Sequence, residues 1–379
     1  MKLSVDWLNK PEIIAVMNAL QAQGNQALFV GGCVRNGLLN VPCTDIDIST
    51  DARPEQTIVL AKNAGLKAVP TGIDHGTITI LVNGEPFEVT SFRKDVETDG
   101  RRAVVAFSDD IMDDARRRDF TMNAIYARAD GAVVDPLNGL PDLKARHVRF
   151  IENADQRIAE DFLRILRFFR FTAQYGDPAL GIDEDGLAAC AAGLNGLETL
   201  AKERIGAEMR KILGVSNPAP VLSAMEHAGV LSRILEGASA KFIPILAHIE
   251  RNEQIHWITR LAVLGGADQV NALRLTKVEA AQLRAIKKVM ETGMRPSAAA
   301  FEYGELVARS SALALAAMCE TVPAADLEEM ISRGLAVVFP ISARDLPTLK
   351  GKELGDALRV SRTRWIASEF ELSKEELLA

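Results

Sequence analysis

The spacing of apolar and polar positions divides the chain near residue 140. Before that point, short apolar runs alternate with turn signals. Ala27-Leu28-Phe29-Val30 runs into Gly31-Gly32, which predicts a buried strand entering a turn. Val34 to Leu39 carries helical spacing, and Asp45 to Ser49 alternates as a strand does. Pro54 to Ala64 predicts a helix, with Asp51 as its N-cap and the proline in its first turn. Thr77 to Val82, Asn83-Gly84 and Pro86 to Thr90 predict a hairpin, because Asn-Gly suits the tight turn between twisted antiparallel strands. Asp110 to Tyr126 predicts a further helix, and Ala132-Val133-Val134 a short strand.

Beyond Leu140 the strand-like alternation stops. Ala159 to Ala173, Leu200 to Leu213, Ala219 to Ala228 and Lys277 to Met290 all carry helical spacing. Thr276, with Glu279 three residues on, forms a capping-box pattern at the start of the last of these. Breaks fall near Asn138–Pro141, Ser216–Pro220 and Gly293–Pro296, and no fixed-period repeat is evident. The pattern predicts an α+β fold, with a small mixed head followed by a long all-helical remainder.

Composition narrows the class. At 379 residues the chain is long enough for more than one core, and its 48% hydrophobic and 25% charged residues are ordinary for a globular protein. No apolar run is long enough to predict a membrane span, and MKLSVDWLNKPEIIAV lacks the pattern of a secretory signal. The cysteines, Cys33, Cys43, Cys190 and Cys319, form no CxxC pair, so neither a zinc site nor a disulfide framework is expected and a reducing cytoplasm fits. A net charge of −7 argues against a general nucleic-acid coat but leaves room for local basic tracks. Two stretches qualify: 144–170 holds seven Lys/Arg against four Asp/Glu, and 344–364 holds six against three. Solvated helix faces are the competing reading of both.

Three strings carry candidate chemistry. Asp45-Ile46-Asp47 follows Gly31 by fourteen residues. Carboxylates at i and i+2 of an extended segment share one side, where they can hold a divalent cation for phosphoryl chemistry. Asp-x-Asp also occurs in ordinary surface turns, and the upstream glycine pair is what strengthens the functional reading. Glycines let backbone N–H groups approach phosphate oxygens, and Arg35 adds a charged donor. Glu88, on the predicted hairpin, is the best-placed third carboxylate. An oxygen-only ligand set favours Mg²⁺.

The second string is Arg116-Arg117-Arg118-Asp119-Phe120-Thr121-Met122-Asn123-Ala124. Three adjacent arginines need anions, supplied either by Asp109, Asp110, Asp113 and Asp114 upstream or by a triphosphate, with Arg118 the preferred contact. The third string is Glu160 to Arg170. Asp161 and Arg164 lie three apart on a predicted helix face, which Arg167 and Arg170 continue. One reading is an intrahelical salt bridge. The other is base recognition, since an Asp acceptor beside an Arg donor matches the edges of cytosine and adenine and mismatches guanine and uracil.

The ordered strings GGCVR…DID, FEVTSFR, DGRRA, RRDFTMNA, DPLNGLPDL and EDFLRILR over residues 29–170 resemble the class II tRNA nucleotidyltransferase/poly(A) polymerase family. The resemblance thins in the C-terminal half, where Arg344-Asp345-Leu346 and Gly351 to Leu358 look like a family tail element. It implies a polymerase-β-like nucleotidyltransferase head (1–139), then a helical neck (140–216), body (217–293) and tail (294–379). It implies metal-binding catalytic aspartates at Asp45 and Asp47 and triphosphate contacts at Gly32, Arg35 and Arg118, to which the residues themselves add Glu88 as third carboxylate and Gly31 in the turn. Asp161 and Arg164 match the neck residues that select CTP and ATP, with Arg167 and Arg170 as further nucleotide contacts. One departure is Asn36, where the family string reads Val-Arg-Asp.

Within the family, Ile73-Asp74-His75-Gly76-Thr77 resembles the CCA-adding version, and a Gly-Arg-Arg-Phe-type string of bacterial poly(A) polymerases is absent. Asp95 to Ala106 resembles the loop that full CCA-adding enzymes carry. The implied activity is template-independent addition of CCA to tRNA from CTP and ATP with Mg²⁺, by a cytoplasmic monomer or homodimer with no membrane partner. Polyadenylation, partial CC or A addition, and small-molecule nucleotidyl transfer are the alternatives. No histidine is followed by Asp, so an HD-type phosphohydrolase appendage is not expected.

Overall fold

A computed structural model describes residues 1–99, 102–250 and 254–379, with backbone alone over 95–99 and 102–105. The described residues form two compact units, Met1–Glu208 with His227–Ile234, and Met209–Glu226 with Leu235–Ala379.

In the first unit, helix α1 (Pro11–Gln21) leads into strand β1 (Ala27–Val30), helix α2 (Gly32–Leu38), strand β2 (Asp47–Thr50) and helix α3 (Pro54–Asn63). Strands β3 (Lys67–Gly72), β4 (Thr77–Val82) and β5 (Glu85–Ser91) follow, and then the hairpin β6 (Arg93–Asp99) and β7 (Arg102–Phe107). Helix α4 (Ile111–Arg116) and the short strands β8 (Tyr126–Ala127) and β9 (Val133–Val134) complete the head. Seven strands make one sheet in the order β3-β4-β5-β2-β1-β8-β9. Among the described residues only β2 and β5 pair in parallel, with Asp47 opposite Glu88. β1 is buried along its whole length, as its unbroken apolar run requires. The β4–β5 turn has Asn83 at φ 52° and Gly84 at φ 85°, the left-handed pair that an Asn-Gly hairpin turn demands.

Helices α5 (Leu140–Ala145), α6 (Ala154–Glu160), α7 (Leu163–Tyr175) and α8 (Glu184–Ala192) continue the same unit. An aromatic cluster fastens α7 to the head. The Phe120 ring lies 5.0 Å from Phe150 and 4.9 Å from Phe171, and Phe150 stacks on Phe168 at 5.3 Å.

Three sequence expectations need correction here. Asp51 does not cap α3. The cap position is Arg53, directly before Pro54, while the Asp51 carboxylate accepts from Asn25 Nδ2 at 3.0 Å and the Gln26 amide at 2.9 Å. The helix expected over Asp110–Tyr126 ends at Arg116, because the buried Asp119 carboxylate takes the Phe120 amide and the chain then bridges Phe150 before entering β8. The helix expected over Ala159–Ala173 is two helices. Asp161 is extended (φ −152°, ψ 105°), and its side chain accepts from the Leu163 amide, a local bond that competes with helix continuation. The expected 95–106 loop is the β6–β7 hairpin in backbone terms; Gly100, Arg101 and the side chains of 95–105 lie outside the described residues.

The second unit is helical throughout its named elements. The capping box at Thr276 and Glu279 forms as the sequence predicts, at the start of the helix Lys277–Thr292. Glu279 also receives Arg210 through both Nε and Nη2, at 2.9 and 2.8 Å. Arg260 is fully buried, pairs with Glu250 at 2.7 Å, and donates to the Leu213 and Ser216 carbonyls. Near the chain end, Trp365 packs against Phe301, Phe339 and Phe370 over buried Ile341 and Leu377. No helix among the described residues is long and apolar enough to cross a membrane.

Candidate active site

The glycine turn sits where β1 gives way to α2. Gly31 has φ 69°, a conformation that L side chains rarely adopt. A Cβ there would lie 3.4 Å from Arg118 Nη1, so the turn needs glycine for its backbone and lets the guanidinium come close. Gly32 opens α2.

Asp45, Asp47 and Glu88 line one cleft of about 640 Å³, with Thr44, Thr79 and Phe87 among its other walls. The strand begins only at Asp47, which leaves Asp45 on the preceding loop, where Thr44 Oγ1 donates to it at 3.2 Å. Asp47 reaches solvent on the cleft face. Its carboxyl is nevertheless pushed above the usual range, first by desolvation between the walls and then by Glu88, with Asp45 adding and Arg118 opposing. Such crowding of negative charge is what a bound cation relieves. Among the described residues no three acidic, His or Cys side chains converge closely enough to enclose a metal by themselves. Mg²⁺ sites commonly use one or two carboxylates completed by substrate phosphates and water, so this oxygen-only pair fits that ion.

Arg118 is held by Asp114 one turn before it, by Tyr126 and by Ser49 of β2. Its Nη2 donates to Asp114 at 3.0 Å and to Ser49 Oγ at 3.3 Å, and its Nε donates to the Tyr126 hydroxyl at 3.3 Å. Asp114 is fully buried. Burial alone would raise its pKa, but Arg118 and Arg117 outweigh it and hold the carboxyl far below the usual range. Asp114 is thus the upstream acid that neutralises Arg117 and Arg118, while Arg116 reaches Glu152 at 3.0 Å. Nη1 of Arg118, beside Gly31, is the part of the guanidinium turned to the glycine turn.

The remaining candidates cluster where α7 meets the head, and each has a protein partner. Arg164 donates to Glu160 at 2.5 Å and to the carbonyls of Arg157 and Arg117 at 2.9 and 2.8 Å. Asp161 pairs with Arg204 at 2.7 Å. The expected pairing of Asp161 with Arg164 on one helix face therefore does not occur, since Asp161 lies in the break before α7. Arg167 binds Asp119, and Arg170 binds Glu208 at 2.5 Å. Arg35 is buried, donating to Asn36 Oδ1, to Asn123 Oδ1 and to the Tyr175 hydroxyl. Asn36, the departure from the family string, also donates to the Pro42 carbonyl at 3.0 Å, which ties α2 to the loop leading to Asp45. The sequence offered Asp114 as one of the acids facing the three arginines, and the structure pairs it with two of them; sequence reasoning assigned no role to Asp119, Asn123, Tyr175 or Arg204. Asp119 was signalled by its place after three arginines. Tyr175 and Arg204 have no local signal, because folding alone brings them to their partners.

Residues 27–149 match the family described as the poly A polymerase head domain, and residues 180–242 match the one described as the probable RNA and SrmB-binding site of polymerase A. A mitochondrial CCA tRNA nucleotidyltransferase 1 from Mus musculus is 34% identical, across 96% of this chain and 88% of the relative. The chain belongs to the class II tRNA nucleotidyltransferase/poly(A) polymerase family. A CCA-adding enzyme from Latilactobacillus sakei is 40% identical over 70% of this chain and 67% of its own length. Among solved structures, the Bacillus stearothermophilus CCA-adding enzyme in complex with CTP superposes with a TM-score of 0.80 at 26% identity, covering 97% of this chain and 96% of that one. The mixed head and helical remainder are therefore the tRNA nucleotidyltransferase architecture, and enzymes of this family generally use a divalent metal.

Proposed function

We propose that this protein adds CCA to the 3′ end of tRNA from CTP and ATP. The observation that carries the reading is the union, in one compact unit, of an acidic cleft at Asp45, Asp47 and Glu88 with the arginine-bearing helix α7. The names of the relatives support the substrate, and Ile73 to Thr77 and the β6–β7 hairpin support full CCA addition within the family.

In the proposed reaction the terminal ribose hydroxyl of tRNA attacks the α-phosphate of CTP or ATP, the α–β phosphoanhydride bond breaks, and pyrophosphate leaves. Mg²⁺ held by Asp45 and Asp47 would supply charge neutralisation at the α-phosphate and acidify the hydroxyl. Asp45 and Asp47 orient the attacking end, and Glu88 keeps the cleft acidic beside them. The turn at Gly31 and Gly32 admits the triphosphate to backbone N–H groups, and Arg118 Nη1 meets its charge. Arg35 fixes α2 beneath that turn. Asp161 and Arg164 read the base edge once they leave Arg204 and Glu160, and Arg167 and Arg170 line the same helix. Residues 1–139 serve as head, 140–216 as neck, 217–293 as body and 294–379 as tail. The basic residues of 144–170 and 344–364 meet the tRNA backbone, since A-form grooves are read by shape and phosphate. A reducing cytoplasm suits the free cysteines.

The decisive experiment gives purified protein single labelled nucleotides and Mg²⁺ on tRNA transcripts lacking CCA, ending in CC, or complete. The expected result is CCA on the shortest transcript, A on the second and nothing on the third. Long A tails on arbitrary RNA would replace this reading with polyadenylation, and arrest at CC would mark a partial enzyme.

A further inference from the structure

Helix α7 carries Arg164 and Arg167 near its start and Tyr175 at its last turn, a span of roughly 16 Å at the usual helical rise. Polar contacts tie it to the head at both ends, and Arg164 Nη2 donates to the Arg117 carbonyl at 2.8 Å. Near its start, Arg167 binds Asp119. At its far end, the Tyr175 hydroxyl accepts from Arg35 Nη2 at 2.8 Å, and the guanidinium carbon lies 4.1 Å from the Tyr175 ring centroid and 5.0 Å from that of Phe171. Arg35 belongs to α2, the helix that begins at the glycine turn. Asn123 closes the circuit, accepting from Arg35 and donating to Asp119 at 2.9 Å. The Phe120, Phe168 and Phe171 rings and the contacts of Arg164 and Arg167 hold the start and middle of α7, and the Arg35–Tyr175 contact is the polar tie at its far end, where it sets the angle of the helix. That angle decides where the base-reading end of α7 stands relative to the triphosphate turn.

We infer that Tyr175 is a positioning residue for nucleotide selection, acting through Arg35 to hold α7 at the angle at which its first turn distinguishes one base from another. This rests on the proposed function above. Its effect passes through the Arg35 guanidinium. A tyrosine suits the task because it offers a ring face to the cation and an oxygen to one of its N–H groups at the same time.

The test compares wild type, Tyr175→Phe and Tyr175→Leu at a temperature where circular dichroism reports each as folded. It measures kcat/KM for CTP and UTP on a transcript lacking CCA, and for ATP and GTP on one ending in CC. Tyr175→Phe keeps the ring and loses the hydrogen bond, so the CTP:UTP and ATP:GTP ratios are expected to fall about fivefold. Tyr175→Leu loses both contacts and is expected to lower them further. Unchanged ratios overturn the inference, as does a rate loss shared equally by all four nucleotides, which would leave Tyr175 a merely structural residue. If Tyr175→Leu does not fold, Tyr175→Phe alone decides. Wild-type protein that incorporates neither CTP nor ATP would instead overturn the proposed function.

Discussion

Arg167 grips a single carboxylate oxygen of Asp119 with two nitrogens, Nε at 2.7 Å and Nη2 at 2.6 Å. The other Asp119 oxygen takes the Phe120 amide and Asn123 Nδ2. Burial works against the Asp119 charge, yet Arg167 and Asn123 hold its pKa below the usual range. Asp119→Ala is expected to cost roughly 2–3 kcal/mol in denaturant unfolding, because it removes charge-assisted hydrogen bonds and strips Arg167 of its partner. Asp119→Asn should lose less, since it keeps an acceptor for Arg167. Equal losses in the two variants would mean that the charge contributes nothing beyond shape.

Asp45→Ala and Asp47→Ala are expected to lower incorporation of both CTP and ATP by on the order of a thousandfold. Neither should unfold the protein. The carboxyl of Asp47 is already disfavoured in its charged form by desolvation and by Glu88, so Asp47→Ala should leave the thermal midpoint unchanged or raise it. Retained turnover with either nucleotide in either variant would refute the metal assignment.

Asp161 has two present duties, capping the Leu163 amide and pairing with Arg204. Asp161→Asn keeps an acceptor for the amide and alters the base-reading edge, so discrimination against UTP and GTP should weaken while the thermal midpoint stays close to wild type. Arg204→Ala removes the competitor and leaves the carboxylate in place, so base choice should survive. Steady-state competition between nucleotide pairs checks both, and unaltered discrimination in Asp161→Asn would count against the neck pocket.

Asn36 accepts from Arg35 through Oδ1 and donates to Pro42 through Nδ2. Asn36→Asp strengthens the first contact and sets a carboxylate oxygen against the Pro42 carbonyl. The opposed effects predict kcat/KM within about tenfold of wild type for both nucleotides. A larger loss would show that the tie between α2 and the loop before Asp45 matters more than the charge near Arg35.

In the second unit, the Arg210 fork, followed by the Thr276 bonds, brings Glu279 down to about 2. A carboxylate with a lowered folded-state pKa contributes stability above its unfolded pKa and loses it as pH falls through the folded value. Wild type should therefore be more stable than Glu279→Gln at neutral pH, and the gap should close as pH falls from about 4.3 toward 2. Urea titrations at several pH values measure it, and a gap independent of pH would show that the ion pair is not its source.

The fold was legible in the sequence wherever it depends on residues close together in the chain. The β1–Gly31 turn, the Asn83-Gly84 hairpin and the Thr276 capping box are local, and the structure bears each of them out. Reading failed where a distant partner outcompeted local preference. Asp119 and Asp161 each interrupt a run that is helical by spacing, because their carboxylates bind nearby amides while Arg167 and Arg204 arrive from elsewhere.

By itself the sequence determined the order of the elements, the glycine turn and the set of acidic and basic groups available. These follow from backbone preference and side-chain periodicity, which act over a few residues. Tertiary structure alone decided which groups meet. Parallel pairing of β2 with β5 sets Asp47 against Glu88. Docking of α7 hands Arg167 to Asp119 and Tyr175 to Arg35. Those partners lie 41, 48 and 140 positions apart in the chain, and only the pairing of strands within the sheet and the packing of α7 on the head bring them together.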